Sequence, residues 1–239
     1  MFCTHHHPDH CDLYSVKAAL KTSTCAFVGP AVTAEKLRGY KVPEDRIRRV
    51  KPGDRVVFGA TEVECLVNYD IVATMTGADK PGKPMDLEDV AVSFLFKTDG
   101  GSILFLGDSL YHNGYAAIGR KHKVDVLIVS MGHNAPGATD KMTPYDAIRV
   151  AEAVKARVLI PDHYDLWGFC YENPSVLEGL AREIAPELKT VILQVGAKFI
   201  FPNDQDIRRY RYPDYGETYR PEYSWEYGDP AKKAKGQQE

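Results

Sequence analysis

The chain has 239 residues, 44% hydrophobic and 26% charged, with a formal net charge of −3. This is the balance of a globular protein, and it supplies no long-range positive field for a nucleic acid. No run of about 18 apolar residues occurs, so no membrane-spanning helix is expected.

Met1 to Thr4 reads as the end of a strand for which the chain offers no earlier partner. Cys11 to Leu20 reads as a helix, with Leu13, Val16, Ala19 and Leu20 on one face. A short strand, Cys25 to Val28, and a helix, Ala31 to Leu37, follow. Ile47 to Val50, Arg55 to Phe58 and Glu62 to Val67 read as strands separated by turns at Pro52-Gly53-Asp54 and Gly59. Polar and apolar residues alternate along 61–67, which predicts one wet face. Residues 68–89 contain a proline- and glycine-rich run unfit for a helix or central strand, and read either as a flap over a functional site or as a surface insertion.

Val90 to Lys97 and Ser102 to Leu106 predict a hairpin around Asp99-Gly100-Gly101. The second strand delivers Gly107-Asp108-Ser109. Val124 to Ser130 is nearly all apolar, the pattern of a strand buried on both faces. Beyond a loop over 131–140, Thr143 is placed as an N-cap, with Pro144 at the first helical position, for a helix to about Lys155. Val158 to Ile160 is a strand delivering Pro161-Asp162-His163. Asn173-Pro174 starts a helix to about Ile184, and strands over 190–195 and 198–201 close the regular part. Strand and helix alternate from residue 90, which indicates an α/β fold. The division expected is one domain over 1–202 and a Tyr-rich extension over 203–239, ending in disorder and suited to an interface.

The chemistry is concentrated in Thr4-His5-His6-His7-Pro8-Asp9-His10. In an extended stretch residues two apart point the same way, so His5 and His7 can converge on one metal ion while Asp9 and His10 face a second. Imidazole and carboxylate suit Zn²⁺, Mn²⁺ or Fe²⁺. Proline and aspartate interrupt the run, unlike an expression tag. Asp108 and His163 stand at strand ends, where sites gather in α/β sheets. Alone, such an aspartate is more often a helix cap and such a histidine more often structural. Together the six residues suit two metals about 3.5–4 Å apart, with Asp108 between them. The five cysteines are scattered, without a Cys-x-x-Cys pair, which fits a reduced cytoplasmic protein. Cys3 and Cys11 flank the motif and are expected to be buried.

The His-x-His-x-Asp-His motif, Gly107-Asp108-Ser109 and the strand ending in His163 resemble the metallo-β-lactamase superfamily. Within it, Phe94-Leu95-Phe96-Lys97-Thr98, Thr139-Asp140-Lys141-Met142-Thr143, Ile160-Pro161-x-His163-x-Asp165-x-Trp167 and Gln194-Val195-Gly196-x-Lys198-Phe199 are similar to the L-ascorbate-6-phosphate lactonase family. The resemblance runs from residue 1 to about 215. It implies a metallo-β-lactamase-like αββα sandwich and a cytoplasmic enzyme that opens the lactone of L-ascorbate 6-phosphate to 3-dehydro-L-gulonate 6-phosphate. It implies a divalent metal, with Mn²⁺ favoured and Zn²⁺ or Fe²⁺ as alternatives, held by His5, His7, Asp9, His10, Asp108 and His163. Water on such a metal has its pKa lowered towards ~7 and becomes the nucleophile, and Asp9 is the candidate general acid/base. Lys141, Thr143 and Arg149 are candidates for the substrate phosphate.

The sequence departs from the family in two places. No histidine lies between His10 and His112, and Asp70 stands where a third histidine ligand would come; it reads equally as a ligand or as a loop aspartate. His133 and Asn134 are further candidates for metal or substrate. The family's block of strands before the motif is absent, so the sandwich is expected to lack its N-terminal strands and to expose strand edges prone to aggregation or pairing. A homo-oligomer acting on a sugar-phosphate lactone, without nucleic acid or membrane partners, is expected. The rival readings are another hydrolase of the fold, such as a phosphodiesterase or ribonuclease, and an inactive fragment serving as an interaction module.

Overall fold

The computed structural model describes residues 1–77, 85–134, 139–166, 168–193 and 196–202. The expected Tyr-rich extension, the centre of the 68–89 segment and part of the 131–140 loop lie outside the described residues. The chain divides into two compact units, Met1–His112 and Asn113–Glu239.

The first unit opens with α1 (Leu13–Thr22), β1 (Phe27–Gly29), α2 (Ala31–Gly39) and, after a 3₁₀ turn at Glu44–Arg46, β2 (Ile47–Arg49). Asp12 starts α1 by accepting the Ser15 N–H at 2.6 Å, the cap its short carboxylate suits. The helix buries Val16 in a cluster with Cys3, Cys11, Phe27, Leu37 and Ile47. Strands β1 and β2 pair in parallel. The segment before the histidine motif has a partner after all, and it comes later in the chain. Cys3 N–H donates to Val28 O at 2.9 Å, Val28 N–H to Met1 O at 2.8 Å and Val92 N–H to Thr4 O at 2.9 Å. Phe2 packs edge-on against Phe58, Phe94 and Phe96, with centroids 5.7, 5.1 and 5.0 Å away. The motif is therefore launched from a pinned backbone.

The unit continues with β3 (Arg55–Phe58), β4 (Thr61–Val67), α3 (Ile71–Thr76), α4 (Leu87–Val90), β5 (Val92–Thr98) and β6 (Gly101–Phe105). Strands β3 to β6 form an antiparallel meander in which each strand pairs with the next. Two expectations are corrected here. The alternation along 61–67 does not give a wet face. Glu64 is buried, and Lys97 from β5 reaches it at 2.9 Å and Arg55 from β3 at 3.4 Å. Nor is the 68–89 segment without helix at its described ends. Asn68 and Asp70 are fully buried, with Asn68 Nδ2 donating to Leu106 O at 2.6 Å, and α3 and α4 occupy the two ends of the expected loop.

The second unit holds α5 (Tyr115–Lys121), β7 (Val126–Ser130), α6 (Pro144–Val154), β8 (Val158–Asp162), α7 (Pro174–Ile184) and β9 (Lys189–Thr190). Strands β7, β8 and β9 are parallel neighbours, and Val126, Val158, Ile160 and Val191 form a core cluster. Helix α6 begins as expected: Thr143 accepts the Asp146 N–H at 3.1 Å and Pro144 follows. Helix α5 packs on α6 so closely that a Cβ on Gly119 would lie 2.1 Å from Ala153 O. Of the two closing strands expected over 190–195 and 198–201, the described residues show strand only at Lys189–Thr190. Among the described residues no helix is long and apolar enough to cross a membrane.

Candidate metal centre

Three chain segments of the first unit meet at the motif. The loop after Thr4 supplies His5 and His7, the start of α3 supplies Asp70, and the stretch after β6 supplies Asp108. One donor atom from each of these four lies within 4.8 Å of the others. His5 Nε2 stands 2.9 Å from His7 Nδ1, 3.4 Å from Asp70 Oδ2 and 4.0 Å from Asp108 Oδ2. Asp108 Oδ2 is also 3.4 Å from His10 Nε2, which lies 3.7 Å from Asp9 Oδ2. Asp108 therefore faces both groups of donors, the place of a carboxylate shared by two ions.

The electrostatics fit a cation. His5 is fully buried, and burial, reinforced by His10, pushes it well below the usual imidazole range despite the opposing pull of Asp108. It is neutral at pH 7, the form that ligates metal. His6 is lowered to about 4, first by burial and then by His7 and Lys36. Asp70 and Asp108 are buried beside these imidazoles. Two carboxylates and two imidazoles converging on one point form a nitrogen and oxygen donor set for Zn²⁺, Mn²⁺ or Fe²⁺. Thr4 supports the set from behind. Its Oγ1 is 3.1 Å from His5 Nδ1 and 3.3 Å from His10 Nδ1, which turns the Nε2 of both rings toward the carboxylates.

In the second unit, His163 follows β8 in the left-handed region at φ 62. A non-glycine residue there is strained, an arrangement that persists where the surroundings over-determine it and is common at functional sites. Ser130 Oγ holds its Nδ1 at 2.8 Å, so Nε2 is the nitrogen suited to a metal. Asn134 spends its amide on the loop, accepting the N–H of Asp140 and Lys141 at 2.9 Å each and donating to Lys141 O at 3.0 Å. His133 is exposed and 3.3 Å from Glu172. Lys141 is buried and 3.3 Å from Asp140. The Thr143 hydroxyl is engaged with Asp146 in the α6 cap, and Arg149 is 3.6 Å from the same Asp146 on the helix surface.

The profile of the β-lactamase superfamily domain matches residues 1–164. The chain belongs to this family. Among curated relatives, the "probable L-ascorbate-6-phosphate lactonase UlaG" of Escherichia coli O139:H28 (strain E24377A / ETEC) is 39% identical over 225 residues, covering 89% of this chain and 63% of the relative. The protein of the same name from E. coli O9:H4 (strain HS) matches to the same extent. This superfamily member thus spans 63% of the length of the curated relatives it matches. Solved structures share its α/β fold. Igni18, a metallo hydrolase of Ignicoccus hospitalis KIN4/I, superposes with a TM-score of 0.63 at 14% identity over 81% of this chain and 75% of the other. The diiron β-hydroxylase CmlA of Streptomyces venezuelae gives 0.63 at 12% identity over 80% and 43%. A hydrolase and a hydroxylase on one scaffold show that the reaction is set by the site rather than by the fold.

Sequence reasoning missed Thr4, Thr76 and Lys36 as supports of the motif. Thr76 Oγ1 lies 2.7 Å from His7 Nε2, and Lys36 Nζ donates to the His6 carbonyl. Lys36 sits one residue before Leu37, on the helix that packs beneath the motif, and no local pattern distinguishes it from a solvated charge.

Proposed function

We propose that this chain carries a metal-dependent lactonase that opens L-ascorbate 6-phosphate to 3-dehydro-L-gulonate 6-phosphate in the cytoplasm. The observation that supports this reading is the convergence of His5, His7, Asp70 and Asp108 donors within 4.8 Å. The choice of substrate is supported by the 39% identity to relatives named as probable L-ascorbate-6-phosphate lactonases.

When bound, a divalent ion supplies Lewis acidity for the lactone carbonyl and lowers the pKa of water at neutral pH. His5 and His7 offer neutral imidazole nitrogens. Asp70 and Asp108 balance the positive charge, and Asp108 serves the His10 side as well. His163 is proposed as a further ligand. Asp9 is more exposed than Asp108, with its side chain 18% accessible against 2%. It holds the attacking water, takes its proton and returns it to the ring oxygen that leaves, as a general acid/base. Lys141 and the start of α6 are assigned to the phosphate end of the substrate. The donor set mixes carboxylate with imidazole, which favours Mn²⁺, with Zn²⁺ and Fe²⁺ as competitors.

The test is metal-dependent loss of the ultraviolet absorbance of L-ascorbate 6-phosphate, since opening the lactone and converting its enediol to a ketone destroys the conjugated ring. Activity is expected with Mn²⁺, lost with chelator and restored by metal. Activity at the wild-type level in His7→Ala or Asp108→Ala would overturn the assignment.

A further inference from the structure

We propose that Thr76 is a positioning residue that fixes the His7 tautomer, so that His7 meets the metal through Nδ1. The inference rests on the metal centre argued above. Thr76 is the last residue of α3, the helix whose N-cap is Asp70. One six-residue helix therefore carries a candidate ligand at its start and the support of another at its end.

The hydrogen-bond count decides the direction. Thr76 Oγ1 stands 2.7 Å from His7 Nε2 and 3.2 Å from His6 Nε2, and it donates to Val72 O at 2.9 Å. A hydroxyl has one proton and two acceptor lone pairs. With the proton given to the carbonyl one turn back, what remains toward both imidazoles is lone pair. The hydroxyl therefore accepts from His7 Nε2–H. A neutral ring protonated at Nε2 keeps its lone pair on Nδ1, and Nδ1 is the atom 2.9 Å from His5 Nε2 inside the donor cluster.

Thr4 works in the opposite sense, contacting His5 and His10 at Nδ1 and leaving Nε2 toward the carboxylates. His5 and His7 are two residues apart in one loop, yet one reaches the cluster with its far nitrogen and the other with its near one. Two threonines on different segments impose that difference. The outer partner of a ligating histidine is commonly worth 10–100-fold in metal affinity. Thr76 is exposed, so water substitutes in part and the effect falls at the lower end of that range.

The experiment compares wild type, Thr76→Val and Thr76→Ser. Zinc affinity is read by competition with a chromophoric chelator, imidazole ¹⁵N–¹H spectra give the tautomers, and the apo thermal midpoint reports the fold. About tenfold weaker zinc binding is expected in Thr76→Val, with wild-type affinity in Thr76→Ser. In metal-free wild type His7 is expected to carry its proton on Nε2. Equal affinity in Thr76→Val, or a wild-type His7 protonated on Nδ1, overturns the inference. Should Thr76→Val fail to fold, the wild-type tautomer still decides it. Wild type that takes up no zinc defeats the metal centre itself, and this outcome is distinct from unchanged binding in Thr76→Val.

Discussion

Asp70 divides its carboxylate between two tasks: Oδ1 accepts the Ala73 N–H at 2.7 Å, while Oδ2 stands 3.4 Å from His5 Nε2. The first contact starts α3 and the second faces the candidate metal centre. The aspartate is at once a helix cap and a site residue, where the sequence reads as a ligand or a loop aspartate and gives no sign of the helix it starts.

The two tasks separate by substitution. Asparagine caps a helix about as well as aspartate, so Asp70→Asn keeps α3 but removes the negative charge. Metal content measured after dialysis is expected to fall, with the apo unfolding midpoint nearly unchanged. Asp70→Ala loses the cap as well and is expected to cost a further ~1 kcal/mol in denaturant unfolding. Full metal content in Asp70→Asn would remove Asp70 from the ligand set.

Helix α2 grips the motif at both ends. Lys36 Nζ donates to the His6 carbonyl, and Tyr40 OH donates to Cys11 O at 3.3 Å. Lys36→Met keeps the apolar stem and loses only the charged donor, at an expected cost of about 1–2 kcal/mol. The backbone bonds inside the loop, His10 N–H and Cys11 N–H to His7 O at 3.1 and 2.8 Å, should then open more often. Faster amide hydrogen exchange at His10 and Cys11 is expected, and unchanged exchange there would show that Lys36 does not hold the loop.

What the sequence discloses follows from how local the signal is. Helices α6 and α7 carry their own punctuation, Thr143-Pro144 and Asn173-Pro174, and both begin where those residues place them. The His-x-His-x-Asp-His run and the aspartate after β6 are equally local. Helix α5 has no capping side chain at Gly114, and its burial depends on Gly119 meeting Ala153, so no local pattern marks it. The partner of Met1–Thr4 lies more than 20 residues ahead at Val28. Glu64 reads as a solvent-facing residue because its cations, Arg55 and Lys97, come from neighbouring strands. Thr76 supports the histidines only once separate segments have met.

His112 gives the fold an acid-sensitive point. Burial lowers it to about 4, and its ring lies against Tyr69 with centroids 3.5 Å apart. An unfolded histidine titrates near 6.5, so between about 6.5 and 4 the unfolded chain binds the proton and the folded chain does not. The contribution of His112 to stability is present above pH 6.5 and is lost as pH falls toward 4. His112→Phe keeps an aromatic ring without a titrating nitrogen. In metal-free protein its unfolding midpoint is expected to fall less than that of wild type between pH 7 and 4. Parallel pH profiles would show that His112 is not the group responsible.

Gly107 links the backbone to the metal centre. It sits between β6 and Asp108 at φ +66, where an added Cβ would lie 2.6 Å from Thr4 Oγ1 and 2.8 Å from Thr4 Cβ. An L residue is strained in that conformation, and the methyl would displace the side chain that holds His5 and His10. Gly107→Ala is therefore expected to lose about 1–3 kcal/mol in denaturant unfolding and to weaken zinc binding. Gly39, at the end of α2, is the control. Nothing lies within 4 Å of a Cβ added there, and Gly39→Ala should be neutral or slightly stabilising. Both variants are measured for unfolding and for zinc affinity. If Gly107→Ala binds zinc as wild type does, Thr4 does not position the histidines; if it is also as stable as Gly39→Ala, the left-handed turn before Asp108 imposes no constraint on the chain.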